Sequence, residues 1–313
     1  MGTPEFAVPS LEILLRNNYN ILAVVTAPDK PAGRGRNIRQ SAVKQFALDR
    51  GLEVLQPENL KDPEFYEKVK GLHPNLLVVV AFRMLPQLIW KYPEFGTFNL
   101  HASLLPQYRG AAPINHAIIN GEQETGLTTF FLDEKIDTGQ ILYQKKTVVG
   151  DHETAGQLHD RLMLLGAGLV LKTVRAIEYE EEVPVDQKNL IPYTGPLKPA
   201  PKIKKDDCHI QWDKRIKDVY NFIRGMSPYP AAFSYLKQDG DSNKMLKIFF
   251  AEKTSCHANG KPGSMLTDHK NYIRVNCRDK QLDLQKIQLE GKKPMTVQEF
   301  LHGNPIKNGR ELV

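Results

Sequence analysis

Apolar runs alternate with helical periods through the first half of the chain. Residues 21–26 (ILAVVT) and 76–81 (LLVVVA) are continuous apolar stretches, the pattern of strands buried on both faces. Shorter strands fit residues 52–55 and 97–100. Between them Leu11, Leu14 and Leu15 share one helical face, Val43, Phe46 and Ala47 another, and Phe65, Val69 and Leu72 a third. Strand–helix–strand alternation predicts an α/β fold, with a parallel sheet and helices on both faces. Residues 126–132 and 140–149 read as an antiparallel pair turned near Asp137-Thr138-Gly139. Residues 154–180 read as a long helix with Thr154 at its N-cap.

Residues 184–202 break the pattern. Pro184, Pro192, Pro196, Pro199 and Pro201 fall here without helical or strand period, as in a semi-rigid extended linker. Beyond it Ile216, Val219, Tyr220 and Ile223 mark a helix. Short strand-like runs follow at residues 232–236, 246–251, 272–275 and 282–287, separated by Gly, Asn and Asp clusters. A small β-barrel with one or two helices is the expectation. The chain thus divides into domains at 1–183 and 203–313 around the linker.

Composition changes the picture at one point. The 313 residues carry 42 Lys and Arg against 36 Asp and Glu, a net of +6. Residues 1–186 hold 19 basic and 23 acidic residues, a net of −4; residues 187–313 hold 23 and 13, a net of +10. A basic C-terminal part suits a polyanion partner, and equally a well-solvated surface. Cys208, Cys256 and Cys277 are odd in number and form no CxxC pair, which fits a reducing cytoplasm and argues against a Cys-rich zinc site. No run of ~18 apolar residues suggests a membrane-spanning helix. No GxGxxG, P-loop or HExxH motif points to a dinucleotide, nucleoside triphosphate or zincin site.

The densest polar constellation is residues 99–106, Asn-Leu-His-Ala-Ser-Leu-Leu-Pro. Asn99 and His101 alternate with apolar neighbours, so on a strand they share a face. Near the C-terminal edge of such a sheet, an amide and an imidazole can donate to a developing oxyanion, and His101 can exchange protons. By itself the pair also reads as ordinary and structurally satisfied. Asp137 reads either as a turn residue or as a carboxylate that orients His101. Tyr108-Arg109-Gly110-Ala111-Ala112-Pro113 reads as a tight loop entering a helix or as a place of close ligand approach. Lys30, Arg34, Arg36 and Arg39 surround a Gly-rich loop that could hold phosphates, or simply be solvated.

Together these segments resemble the methionyl-tRNA formyltransferase family over essentially the whole chain. The resemblance is carried by Met1-Gly2-Thr3-Pro4-Glu5-Phe6-Ala7-Val8-Pro9, by Pro28-Asp29-Lys30-Pro31-Ala32-Gly33-Arg34-Gly35, and by residues 99–106 with Arg109–Pro113. Asp137-Thr138-Gly139 and the run from Ile223 to Ala232 complete it. The Asn-x-His core with Asp-Thr-Gly is common to enzymes using 10-formyltetrahydrofolate, including those acting on sugar nucleotides or glycinamide ribonucleotide. The basic loop and the C-terminal half point to the tRNA enzyme. The resemblance implies a Rossmann-like catalytic domain followed by an OB-like β-barrel that binds tRNA. It implies Asn99, His101 and Asp137 as catalytic residues, with Ser103, Leu104, Leu105 and Pro106 along the folate. It places Arg34 at the acceptor end of the tRNA, assisted by Lys30 and Arg36. It implies 10-formyltetrahydrofolate as co-substrate, methionyl initiator tRNA as acceptor, no metal, no membrane, and a cytoplasmic monomer.

Two departures stand out. The family carries a strand of about half a dozen apolar residues before the Gly-Thr-Pro loop, so the expectation is a native start several residues upstream of Met1. Ala81-Phe82-Arg83 stands where an aromatic-Gly pair is more usual, near the expected pterin pocket.

Overall fold

The computed structural model describes residues 1–32, 37–181, 183–190, 195–237, 243–304, 306 and 310–313. They form two compact units that interleave along the chain. One comprises Met1–Gly110, Thr125–Thr147 and His159–Pro199; the other comprises Ala111–Glu124, Val148–Leu158 and Ala200–Val313.

In the first unit a 3-10 turn at Glu5–Ala7 leads into α1 (Val8–Arg16). There follow β1 (Val24–Val25), β2 (Lys30–Ala32), β3 (Asn37–Arg39), α2 (Ala42–Asp49), β4 (Val54–Leu55), α3 (Pro63–Gly71), β5 (Leu77–Val80), α4 (Gln87–Trp90) and β6 (Thr97–His101). The three predicted helical faces become α1, α2 and α3. Ser41 caps α2 by accepting the Lys44 N–H, and Asp62 caps α3 by accepting the Glu64 N–H. Strand β1 pairs with β4, and β5 with β6, both in parallel. Antiparallel to β6 lies β7 (Glu124–Phe131), and β8 (Ile141–Val148) completes the order β5-β6-β7-β8. The sheet is therefore parallel-rich and Rossmann-like. Val25, Phe65, Val69, Val79, Leu85 and Ile89 cluster in its core.

The first strand is shorter than its sequence suggests. Only Val24 and Val25 of residues 21–26 are in ladder register. Met1 and Gly2 supply the link between β1 and β5. The Gly2 N–H donates to the Val25 carbonyl at 3.0 Å, the Val80 N–H to the Met1 carbonyl at 2.9 Å, and the Met1 amine to the Val78 carbonyl at 2.7 Å. Among the described residues, residues 21–23 have no ladder partner, while Leu77 and Val78 pair with β6 on their other side. Leu11, Leu14, Ile21, Val24, Leu76 and Val78 line a cavity of about 150 Å³ there. A strand needs a neighbour's ladder, which residues 21–23 do not have.

The second unit contains α5 (Pro113–Ile119). It also takes the start of α6 (Ala155–Glu178), whose N-terminus is a reciprocal cap: the Gln157 N–H donates to Thr154 Oγ1 at 3.3 Å and the Thr154 N–H to Gln157 Oε1 at 2.9 Å. Helix α7 (Ile216–Met226) realises the predicted period, and Gly225 lets it approach Ile119 of α5 closely. Arg224 is buried. Its guanidinium donates to the carbonyls of Gly150 and Glu153, each at 3.0 Å, and to Asn221 Oδ1 at 2.9 Å.

Then come β9 (Ala232–Leu236), β10 (Lys244–His257), β11 (Met265–Thr267), β12 (Ile273–Asn276), β13 (Lys280–Leu289), β14 (Met295–Thr296) and α8 (Val297–Gly303). The strands pair antiparallel in the order β11-β12-β13-β10-β9, with β14 on β13. All four predicted strand runs are present; β11, β14 and α8 are additional. Among the described strands the pairing path is open, not a closed barrel: β9 and β11 are not partners. Residues 310–313 reach both. Tyr235 and Val313 exchange N–H···O bonds at 2.7 and 2.9 Å, the Met265 N–H donates to the Arg310 carbonyl at 2.8 Å, and the Leu312 N–H to the Gly263 carbonyl at 2.8 Å.

Candidate active site

At the C-terminal end of β6, strand alternation separates two environments. Leu100 faces α6, where a Cβ on Gly166 would lie 2.7 Å from the Leu100 Cδ2. Asn99 and His101 face the other way, as their spacing predicts. Phe130 lies opposite Asn99 in the β6–β7 register, and its ring meets the His101 ring edge-on at 6.5 Å. Phe130, Leu105 and Ile141 form a small apolar cluster on this face.

His101 is buried, 6 % exposed. Its Nε2 lies 2.8 Å from the Tyr108 carbonyl oxygen. A carbonyl only accepts, so Nε2 carries a proton, and Nδ1 is the nitrogen left for chemistry. Nδ1 stands 3.8 Å from Asp137 Oδ2, too far for a direct hydrogen bond but close enough for the carboxylate to attract an imidazolium. The same Oδ2 accepts the Gly110 N–H at 2.9 Å. Asn99 is half-buried, and its carboxamide has no hydrogen-bond partner among the described residues.

Backbone geometry holds this arrangement. Tyr108 and Asp137 adopt left-handed φ values of 59° and 55°, and Gly110 has φ 126°. The tight turn ending in Asp137-Thr138-Gly139 leaves no room at Gly139, where a Cβ would fall 1.7 Å from the Phe131 carbonyl oxygen. The loop after β6 is fastened to β7 and β8. Thr128 Oγ1 donates to the Ser103 carbonyl at 2.7 Å and accepts the Leu105 N–H at 3.1 Å, while Gln144 Nε2 donates to the Leu105 carbonyl at 2.8 Å. Ser103, Leu105 and Pro106 are buried and Leu104 is half-buried; the Ser103 hydroxyl donates to the Gln107 carbonyl at 2.6 Å.

One residue of this neighbourhood has no signal in the sequence. Gln187, 1 % exposed, sits in the proline-rich stretch and binds the Arg109 guanidinium and the backbone of the Asp137 turn. Neither periodicity nor spacing marks a buried amide in such a segment. That stretch packs within the first unit: the Tyr108 N–H donates to the Lys198 carbonyl at 2.7 Å, and Val185 pairs with Ile141.

The predicted basic loop is a hairpin of β2 and β3, with Lys30 opposite Arg39, both exposed. Arg34 and Arg36 lie outside the described residues. Asp29 braces its base, accepting from Lys44 Nζ at 2.6 Å and Gln56 Nε2 at 2.8 Å; these bonds hold its carboxyl below the usual carboxylate range. Ala81 takes a left-handed φ of 49° directly after β5, and Arg83 donates to the carbonyls of Pro57 and Glu58 at 2.6 and 2.9 Å. Among the described residues no three His, Cys, Asp or Glu side chains are grouped to hold a metal, and no helix is long and apolar enough to cross a membrane.

This strand-end amide, imidazole and carboxylate on a Rossmann-like sheet match a known class. A family model described as Formyl transferase covers residues 1–174, and one described as Formyl transferase, C-terminal domain, covers residues 202–305. The chain belongs to the formyltransferase family. A methionyl-tRNA formyltransferase of Parabacteroides distasonis is 50% identical over 304 residues, 97% of this chain and 94% of the relative. One of Flavobacterium johnsoniae is 48% identical over 304 residues, again 97% and 94%. Among solved structures, the sugar 3N-formyl transferase WlaRD, in the presence of dTDP and 5-N-formyl-THF, superposes with TM-score 0.63 at 21% identity, covering 93% of this chain and 97% of that one. HypX from Aquifex aeolicus with tetrahydrofolic acid gives 0.58 at 19% identity, covering 81% of this chain and 43% of that one. These last two show a shared fold.

Proposed function

We propose that this enzyme transfers the formyl group of 10-formyltetrahydrofolate to the α-amino group of methionyl initiator tRNA, at the start of protein synthesis. The observation that carries the reading is the unpartnered Asn99 carboxamide beside the His101–Asp137 pair. An amide donor with nothing to bind, at a sheet edge next to a proton-transfer group, fits an oxyanion that exists only in the transition state. The donor brings an activated formyl group on N10; the protein supplies the rest.

Asn99 donates to the oxygen that gains charge as the amine adds to the formyl carbon. His101 works through Nδ1, because the Tyr108 carbonyl occupies Nε2. Nδ1 takes a proton from the attacking amine and returns it to the departing nitrogen, and Asp137 stabilises the imidazolium between those steps. The 3.8 Å between Nδ1 and Oδ2 leaves room for a water to relay that proton. The free α-amine of an aminoacyl ester has an ordinary pKa near ~7.7 or below, so much of it is already nucleophilic at neutral pH.

In this reading Ser103, Leu104, Leu105 and Pro106 lie along the folate through a loop fastened to β7 and β8. Lys30, Arg34 and Arg36 meet the acceptor end of the tRNA. Residues 1–183 form the catalytic domain, 184–202 the linker, and 203–313 an OB-like tRNA-binding domain. The +10 charge of the C-terminal part supports the last role, and the bonds from residues 310–313 to both β9 and β11 support an OB-like closure. The enzyme acts as a cytoplasmic monomer. Formyl-transfer assays comparing methionyl-tRNA with amino-sugar nucleotides and glycinamide ribonucleotide test the acceptor. In the same assays Asn99→Ala should cost ~10²–10³ in kcat, the usual loss of one oxyanion donor. Turnover within a few-fold of wild type for Asp137→Asn would defeat the role given to Asp137.

A further inference from the structure

The carboxamide of Gln187 is fully engaged. Its Nε2 donates to the carbonyl oxygens of Asp137 at 3.0 Å and Gly139 at 2.8 Å. Its Oε1 accepts from Arg109 Nε at 3.1 Å and Arg109 Nη2 at 2.6 Å. The amide orientation is forced, because a guanidinium only donates and a carbonyl only accepts. One buried side chain therefore joins the Arg109 side chain of one segment to the backbone of another. The first, at residues 108–110, carries the carbonyl that holds His101 Nε2 and the N–H that holds Asp137 Oδ2. The second is the turn that carries Asp137 itself.

Both segments contain left-handed residues, Tyr108 and Asp137, that would relax elsewhere without restraint. Gln187 is itself anchored. Asp186 accepts the Lys188 N–H at 2.9 Å, Val185 exchanges backbone bonds with Ile141, and Leu190 packs on the cluster of Leu105, Phe130 and Ile141.

We infer that Gln187 is a positioning residue: it sets the spacing of His101 Nδ1 and Asp137 by tying the Arg109 segment to the Asp137 turn. The inference rests on the reading of His101 and Asp137 as the proton-transfer pair. Gln187 acts through Arg109 and the Asp137 turn and supplies no atom to the reaction.

The test compares Gln187→Glu and Gln187→Met with wild type, each alone and combined with Asp137→Asn. Glutamate keeps the acceptor for Arg109 but replaces the donor by an oxygen facing two carbonyls; methionine keeps the volume and removes both arms. Displacements of about 1 Å in such pairs cost ~10²-fold. The expected result is a 10- to 100-fold (roughly) lower kcat for either variant, with KM for 10-formyltetrahydrofolate and methionyl-tRNA held within about threefold. In the Asp137→Asn background the same substitutions should cost less than about threefold more, since residues acting as one unit are not additive. Unchanged kcat in the single variants, a rise confined to one KM, or full additivity with Asp137→Asn overturns the inference. If one variant does not fold, the other decides. Should Asp137→Asn itself keep wild-type turnover, the reading of the pair fails first and the inference with it; loss in Asp137→Asn with none in the Gln187 variants sinks the inference alone.

Discussion

A thiol in the turn between β12 and β13 illustrates how a single residue's surroundings set its chemistry. Cys277 is buried, and desolvation, with the nearby Asp279 charge adding to it, pushes its thiol up to about 12. In the unfolded chain it ionises near its ordinary value, about 8.5. The folded state holds the proton that the unfolded state releases, so stability contributed by this site is complete below about pH 9 and is lost as pH rises toward 12. Urea unfolding across that window should show a shallower decline for Cys277→Ala than for the parent; parallel curves would contradict the assignment. At this same scale, the shared face of Asn99 and His101 was legible in their alternation, and the nearness of Asp137 to His101 followed from the family resemblance rather than from spacing. Gln187 and the Tyr108 carbonyl were not: one acts through contacts distant in sequence, the other through backbone, and neither leaves a pattern of residue types.

At the scale of elements, periodicity predicted α1, α2, α3, α6 and α7 because each buries one apolar face. The Thr154 cap was legible for a related reason, since a side-chain oxygen before a periodic run has few other uses. Thr154 and Gln157 close that cap reciprocally, and removing the hydroxyl takes away the acceptor of the Gln157 N–H. Thr154→Ala should lower stability by about 1 kcal/mol in urea unfolding, while Thr154→Ser should restore most of it; equal losses for both would point to the methyl's packing instead. Strand lengths were less legible. Residues 21–25 are apolar throughout, yet only Val24 and Val25 pair, because ladder length depends on a neighbour and not on the strand's own composition. The short β11 and β14 went unpredicted for the same reason: Met265–Thr267 and Met295–Thr296 are strands because β12 and β13 are beside them.

For the whole molecule, the charge split and the proline-rich stretch marked two regions, while contacts interleave them differently. Ala111–Glu124 and Val148–Leu158 pack with the second unit although the sequence places them among the first unit's elements. Long-range packing of α5 against α7 is set by small residues such as Gly225, which carry no period. The antiparallel order of the second unit leaves β9 and β11 as edges, and residues 310–313 bond to both. Deleting those four residues should abolish hydrogen-exchange protection at the amides of Tyr235, Lys237 and Met265, whose acceptors are Val313, Glu311 and Arg310. Retained protection at all three would show that the edges find other partners.

The same four residues set an order of events during synthesis. They are made after every strand they join, so on a translating ribosome β11 and the part of β9 beyond Phe233, which residues 209–210 already pair, emerge with an open edge and wait. Their pairing is among the most distant in sequence that the second unit makes, Tyr235 with Val313 for example, and such pairings come late. Until then two rows of backbone donors and acceptors are open to neighbouring chains, the condition that favours edge-to-edge association. The nascent protein is thus most prone to aggregate in the interval before residues 310–313 are free.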